Sequence, residues 1–513
     1  MEGMHWALLL AMLEVSRPSG IEFRHVHSPS ARKHLPEAMG GGVALLDYNN
    51  DGLLDVFLVN SGQLGMPRTE PRFWNRLYQQ NRDGSFADVT RQAGLAGSPA
   101  AGYGMGVATA DYDGDGFTDL YVTNFGANVL YRNTGKGAFV DVTAKAGVAA
   151  GGWSASAGFF DFDNDGRPDL FVTRYMDWTL ATSQACGSAP KVYCPPATFP
   201  AVANVLYRNL GDGVFQDVST RSGIAAAKGR ALGVAFADAD DDGHTDIFVA
   251  NDGMEQFFFH NRGDGTFAER AIEAGAALSG DGQPVSGMGV DFRDYDNDGR
   301  PDVVVTTLSR QRYALFRNEG GGVFGYHSLL SNLGALSSIH SGWGVAFADF
   351  DNDGWKDLLA AQGHVMDNVQ QLDPSLRSQE PPLLLFNRKG RFEESSLGPV
   401  APGRGLAIGD IDNDGALDAV MSVLGGAPVV YRNRPGPNNW LQLKLKSLGA
   451  RVTVNGQRQE AGTAGSYLSA HDGRLHFGLG TATAAEIEVR WPSGRTRSLR
   501  TDQLNRVLTI EEP

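Results

Sequence analysis

The sequence predicts an all-β protein: a seven-bladed β-propeller followed by a small C-terminal β domain. Three observations lead there. An Asp-x-Asp-x-Asp-Gly-x-x-Asp loop, with one Asn variant, recurs seven times, starting at Asp47, Asp111, Asp161, Asp238, Asp294, Asp349 and Asp410. Each copy is flanked by short β-like runs. The chain also carries 66 glycines among 513 residues without collagen periodicity, the composition of many tight turns between short strands.

Successive loops are 64, 50, 77, 56, 55 and 61 residues apart, a repeat of propeller length rather than of a solenoid. A Gly-rich apolar stretch precedes each loop, as in Gly104-Met-Gly-Val-Ala-Thr-Ala110. A β-rich run follows, as in Leu120-Tyr-Val-Thr123. Most copies then show an aromatic-Arg-Asn signal and a Phe-x-Asp-Val signal, for example Leu130-Tyr-Arg-Asn133 with Phe139-Val-Asp-Val142. Each unit therefore reads as four strands, and radial packing protects their edges.

The seventh unit has a third strand, Val429-Val-Tyr-Arg-Asn433, but no Phe-x-Asp-Val partner. The unassigned N-terminal run Ile21-Glu-Phe-Arg-His-Val26 is expected to complete it, and deletion of residues 20–27 is expected to destabilise the ring. The expected division is a possible degenerate export signal at 1–19, the propeller at 20–435 and the β domain at 436–513. The apolar run at 6–13 has signal-peptide length but lacks a basic flank and a small-x-small cleavage site.

The loops carry the chemistry. Oxygen atoms at alternating positions of a tight turn suit Ca²⁺, which takes six to eight oxygen ligands in a flexible shell. The expected ligands of the first loop are Asp47, Asn49, Asp51, Asp55 and the carbonyl of Leu53; those of the second are Asp111, Asp113, Asp115, Asp119 and the carbonyl of Phe117. The third offers Asp161, Asp163, Asp165, Asp169 and the carbonyl of Arg167; the fourth, Asp238, Asp240, Asp242, Asp246 and the carbonyl of His244. The fifth offers Asp294, Asp296, Asp298, Asp302 and the carbonyl of Arg300; the sixth, Asp349, Asp351, Asp353, Asp357 and the carbonyl of Trp355; the seventh, Asp410, Asp412, Asp414, Asp418 and the carbonyl of Ala416. Asn49 makes the first loop the weaker binder. An EF-hand requires Glu at position twelve and helical flanks; here that position is Leu58, Val122, Val172, Val249, Val305, Ala360 or Met421.

Charge agrees with this reading. Of 28 side-chain ligand positions 27 are Asp, nearly half of the 59 acidic residues, and seven divalent ions would almost cancel the formal charge of −15. The acidity opposes nucleic-acid binding, and the sequence holds no apolar stretch long enough to span a membrane. Without metal, clustered carboxylates repel one another, so chelation is expected to lower the melting temperature.

The Gly-rich strand joined to this Asp loop resembles the FG-GAP/VCBS repeats of integrin α-subunit propellers and related bacterial proteins. From Asn438 the pattern changes. Trp440–Lys446, Ala450–Val454, Leu475–Gly480, Ala485–Trp491 and Val507–Ile510 read as strands. The Asn-Asn-Trp-Leu opening, Gly449-Ala-Arg-Val, His-Phe-Gly-Leu-Gly and Val489-Arg-Trp-Pro-Ser-Gly494 resemble the ASPIC/UnbV domain, with a shortened first loop. The combination is similar to the cartilage acidic protein and bacterial ASPIC/UnbV family, which implies secretion or envelope exposure. Some members are associated with enediyne biosynthesis.

Cys186 and Cys194, eight positions apart in a Pro/Gly-rich loop, are expected to form a disulfide in an oxidising compartment. No Gly-x-Ser-x-Gly, P-loop, His-Glu-x-x-His or Rossmann signature is present. His25, His27, His340 and His364 read as turn or surface residues rather than a site. Five residues past each final Asp stand Asn60, Asn124, Arg174, Asn251, Thr307, Gln362 and Val423. The six polar ones form the expected ligand face, opposite the metal loops. The expected function is a non-enzymatic, calcium-stabilised extracytoplasmic scaffold recognising protein or glycan; the alternative is an enzyme or accessory protein of a natural-product pathway.

Overall fold

The computed structural model describes residues 13–16, 19–97, 102–395 and 397–513. Seven four-stranded antiparallel sheets follow one another along the chain, the fourth with a short extra strand at Val285–Ser286. In the second, the order is Tyr103–Ala110, Asp119–Phe125, Val129–Asn133 and Phe139–Asp141, each paired with the next. The Asp-rich loop is the hairpin between the first two strands. The first strands, rich in Gly and Ala, lie side by side in chain order from Val43–Leu46 to Gly403–Gly409, and the last adjoins the first. Small residues are needed there because seven backbones converge: a Cβ on Gly106 would sit 3.0 Å from Leu468 Cα, and one on Gly42 2.7 Å from Gly106 Cα. Large apolar residues of the outer strands fill the wedges between sheets, as Leu77, Leu120 and Phe139 do between the first two. The fold is an all-β propeller.

The strand that completes the seventh sheet is Glu14–Ser16, antiparallel to Val429–Arg432, and not the expected Ile21–Val26. Residues 21–26 form no strand. They run across the seam between the seventh and first sheets, where Phe23 is buried, His25 N–H donates to Gly426 O at 2.9 Å, and Val26 N–H donates to Asn60 Oδ1 at 2.7 Å. The apolar run at 6–13 lies outside the described residues except for Leu13, which is buried beside Leu397 and Tyr431. Residues 13–16 thus belong to the propeller.

The C-terminal region forms a three-stranded sheet (Leu475–Gly480, Asn439–Lys444, Val507–Thr509) and a four-stranded sheet (Gln457–Glu460, Arg451–Val454, Ala485–Arg490, Thr496–Thr501) around one apolar core. Its segment 462–472 enters the middle of the propeller. Ser466 exchanges backbone hydrogen bonds with Val290, Leu468 O accepts from Val107 N–H at 3.0 Å, and Ala470 N–H donates to Val43 O at 3.0 Å. Tyr467 is fully buried, edge-on to Trp343, and its hydroxyl donates to Met39 O at 2.7 Å. The central channel is therefore a packed core, filled by the C-terminal region.

The disulfide Cys186–Cys194 is formed. It lies in a loop that, with Leu35, Met39, Tyr193 and Phe199, packs over the end of the channel remote from the metal loops. Among the described residues no helix is long and apolar enough to cross a membrane.

Candidate metal centres

All seven loops share one conformation, and the sequence dictates it. Position six is always Gly, at φ between 82° and 93°; position four is Asn, Gly or Asp, also left-handed, from Asn164 at 56° to Gly114 at 74°. This bend turns backbone N–H groups inward. In the third loop Asp165 N–H and Gly166 N–H donate to the two oxygens of Asp161 at 3.1 and 2.8 Å, and Arg167 N–H donates to Asp165 Oδ1 at 3.0 Å. The position-seven residues Leu53, Phe117, His244, Arg300, Trp355 and Ala416 donate to their fifth-position carboxylates in the same way, at 2.8–3.0 Å.

The carboxylates converge. Ligand oxygens of Asp111, Asp113 and Asp115 lie within 4.8 Å of one another, as do those of Asp161, Asp163 and Asp169, of Asp238, Asp240 and Asp242, and of Asp294, Asp296 and Asp302. Asp111 Oδ1, Asp163 Oδ1, Asp240 Oδ1 and Asp296 Oδ1 are buried without any hydrogen-bond partner. Buried acceptors with no donor are costly, and a hard divalent cation supplies what they lack. The residues present fit calcium.

The ninth-position Asp has a second role that spacing alone does not reveal. Each is at most 1% exposed and accepts two backbone N–H bonds. Asp119 Oδ1 accepts from Asn133 at 2.7 Å and Oδ2 from Tyr112 at 3.1 Å; Asp55, Asp169, Asp246, Asp302, Asp357 and Asp418 repeat the pattern. These carboxylates tie the loop to the third strand. Burial pushes Asp55, Asp119 and Asp169 up to about 8 and Asp418 to about 7, while Asp302 and Asp357 are also raised well above the carboxylate range by burial. First-position residues shift the same way, Asp161 and Asp410 to about 6 and Asp238 to about 7, again chiefly by burial.

The aromatic-Arg-Asn signal acts on these loops. Its Arg reaches back to the third- and fifth-position carboxylates: Arg132 Nε to Asp113 Oδ2 at 2.5 Å and Nη2 to Asp115 Oδ2 at 3.0 Å, with Arg208 and Arg317 alike. Its Asn crosses to the preceding sheet. Asn133, Asn209, Asn261, Asn318, Asn387 and Asn433 donate from Nδ2 to the carbonyls of Tyr48, Tyr112, Phe162, Ala239, Tyr295 and Phe350, all at 2.7–2.9 Å. Adjacent loops are joined too: Asn50, Asn164, Asn297, Asn352 and Asn413 donate to the position-six carbonyls of Gly116, Gly243, Gly354, Gly415 and Gly52 in the next loop.

The C-terminal region rests on the later loops. Gln442 Nε2 donates to Asp410 Oδ2 at 2.8 Å, Arg451 Nη2 to Asp238 Oδ2 at 2.5 Å, and Asp238 N–H to Glu460 Oε2 at 3.0 Å. His476 Nε2 lies 2.6 Å from Asn352 Oδ1. Residues around the first two loops, such as Asp51, Gly52, Asp113 and Asp115, stay exposed or half-exposed.

The expected ligand face is not a surface. Asn60, Asn124, Asn251, Thr307 and Gln362 are at most 2% exposed, and Val423 is buried as well. They end their strands beneath covering loops: Asn60 Nδ2 donates to Arg72 O, Asn124 Nδ2 to Ala127 O and Asn251 Nδ2 to Glu255 O. Gln362 Nε2 donates to Tyr313 Oη at 3.1 Å, and Arg174 is half-buried over Gly152. These residues therefore lie beneath covering loops and not on an open face. His25 is buried against Ser61 Oγ at 3.0 Å, and burial lowers it to about 3. His27 and His364 are lowered to about 4, mainly by burial, and His340 faces Glu380 at 2.9 Å.

Comparison with known proteins agrees with this architecture. Residues 47–122, 111–172, 198–249, 238–305 and 294–360, together more than half of the chain, match the FG-GAP-like repeat, and residues 442–513 match the family described as ASPIC and UnbV. Cartilage acidic protein 1 of Homo sapiens is 26% identical over 93% of this chain and 73% of its own length. The Xenopus tropicalis protein of the same name is 26% identical over 93% and 74%. Among solved structures, an Agrocybe aegerita lectin specific for non-reducing terminal N-acetylglucosamine is 17% identical over 74% of this chain and 88% of its own, with a TM-score of 0.41. The chain belongs to the FG-GAP-like repeat family, as a β-propeller of such repeats that ends in an ASPIC and UnbV domain.

Proposed function

We propose that this protein is a calcium-stabilised, non-enzymatic binding scaffold that works outside the cytoplasm and recognises a protein or glycan ligand. The observation that carries the reading is the set of unpartnered, buried Oδ1 atoms on Asp111, Asp163 and Asp296, inside loops that also hold the sheets together. Calcium bound there satisfies those atoms and neutralises carboxylates whose burial otherwise opposes ionisation. The Arg and Asn side chains of the third strand carry the local order of each loop into its neighbour. The metal is thus a structural element, and recognition belongs to surfaces that the rigid ring presents. The disulfide supports an oxidising compartment. Elemental analysis after dialysis against calcium, with glycan-array and pull-down binding in calcium and in EDTA, tests the reading. Several calcium ions per chain and calcium-dependent capture of a ligand support it. A chain free of calcium after dialysis overturns it.

A further inference from the structure

The fourth loop departs from the other six. In the second, third, fifth and seventh sheets the third strand places an Arg over the loop carboxylates: Arg132, Arg208, Arg317 and Arg432. In the sixth, Phe386 stands at that position and Arg388, just past Asn387, reaches Asp351 and Asp353 at 3.1 and 3.2 Å. In the first, Gln79 takes that place and accepts from Tyr48 Oη at 3.2 Å. In the fourth sheet the residue is His260. Its Nδ1 lies 3.3 Å from Asp246 Oδ1 and 3.5 Å from Asp240 Oδ2, and ligand atoms of the three residues fall within 4.8 Å of one another. Asp246 is fully buried, and the other oxygen of Asp240 is buried with no partner. The first-position carboxylate, meanwhile, is engaged from the C-terminal region: Arg451 donates to Asp238 Oδ2 at 2.5 Å and also reaches Asp241.

We propose that the fourth loop is a mixed nitrogen–oxygen site that takes a first-row divalent transition ion of the zinc class, held by His260 Nδ1, Asp240 and Asp246, in preference to calcium. An all-oxygen turn matches calcium; an imidazole nitrogen with two carboxylates matches a smaller, softer ion that accepts fewer ligands. An Arg cannot ligate and only offsets charge, so exchanging Arg for His turns a charge partner into a ligand. The inference rests on the reading of the loops as cation sites and adds to it a difference between one loop and the rest.

The test uses the full chain, loaded with excess calcium and one equivalent of Zn²⁺, desalted, and analysed for both elements. The wild type is expected to retain one zinc per chain beside its calcium. His260→Arg, which installs the residue the sibling sheets carry, is expected to lose that zinc and to gain calcium at the fourth loop, with an unchanged melt. Should the Arg variant fold poorly, His260→Gln, which copies the residue of the first sheet, serves instead. Loss of zinc from the variant with calcium kept supports the proposal. Absence of zinc from the wild type, or equal zinc in both proteins, overturns it while leaving calcium at the other loops intact. Absence of both metals overturns the calcium reading itself.

Discussion

The side-chain amide of Asn413 donates to the carbonyl of Gly52 at 2.9 Å, joining the seventh Asp-rich loop to the first across 361 residues of sequence. The same bond joins the third loop to the fourth, the fifth to the sixth and the sixth to the seventh. With the link from the first loop to the second, five of the seven junctions are made this way, Gly114 and Asp241 taking the place of the Asn at the other two, and the Asn413 link spans the seam where the ends of the ring meet. Asn413 sits at φ 58°, so replacement by Gly removes the amide without adding backbone strain. Asn413→Gly is expected to lower stability by about 1 kcal/mol in urea titration. Faster amide exchange is expected at the seam, around residues 43–58 and 418–432, and not in the third and fourth sheets.

Asn133 makes a deeper link. Its Nδ2 donates to Tyr48 O in a buried setting and to Thr118 O in a partly buried one, and its buried backbone N–H donates to Asp119 Oδ1. Asn133→Ala strands two carbonyls, and about 2–3 kcal/mol of destabilisation is expected from their lost partners. Asn133→Asp is expected to be worse, because it sets a further carboxylate beside Asp119. Denaturant titration of both variants checks the order.

The plug gives a third test. Tyr467 fills the channel against Trp343, and its removal leaves a large void with Met39 O unpaired. Tyr467→Ala is expected to cost about 3–5 kcal/mol, and Tyr467→Phe about 1 kcal/mol. Because the plug belongs to the C-terminal region, Tyr467→Ala is also expected to raise amide exchange in Val43–Leu46 and Val290–Arg293 together.

Much of the fold is legible in the sequence, for a physical reason. Seven loops need Gly at a left-handed position and carboxylates at alternating positions, so they leave the same mark each time. The blades follow from the apolar runs around them. What the sequence hides lacks such a mark. Asn133 and its equivalents are visible as a recurrent letter, but a side chain that bonds to the previous repeat is indistinguishable in sequence from a turn residue. The segment 462–472 is small and polar except for Tyr467 and Leu468, so it reads as surface loop; only closure of the ring makes its backbone a partner for the converging strands. Glu14–Ser16 is three residues long and carries no pattern, whereas Ile21–Val26 alternates like a strand while lying across a seam. The polar strand ends read as exposed because the loops that bury them leave no periodic signal.

The raised carboxylates predict opposite pH dependences with and without metal. In the metal-free fold, Asp55, Asp119 and Asp169 hold their protons to about 8 and Asp161 and Asp410 to about 6, against about 3.9 when unfolded. Between those limits the folded chain binds more protons than the unfolded one, so its stability falls as pH rises from about 4 towards 8. Calcium needs the ionised form, so its stabilisation grows over the same range. Melts in EDTA are expected to shift downward from about pH 5 to about pH 8, and the gap between calcium and EDTA melts to widen. Parallel curves would show that these carboxylates ionise independently of the metal.

The most direct test of the central claim, that calcium in the loops holds the ring together, is the thermal melt of one preparation before and after chelation near neutral pH. The account predicts a fall of at least about 10 °C on adding EDTA, restored by excess calcium, as expected when several bound ions stabilise only the folded state. Coincident melts with and without the chelator would contradict it.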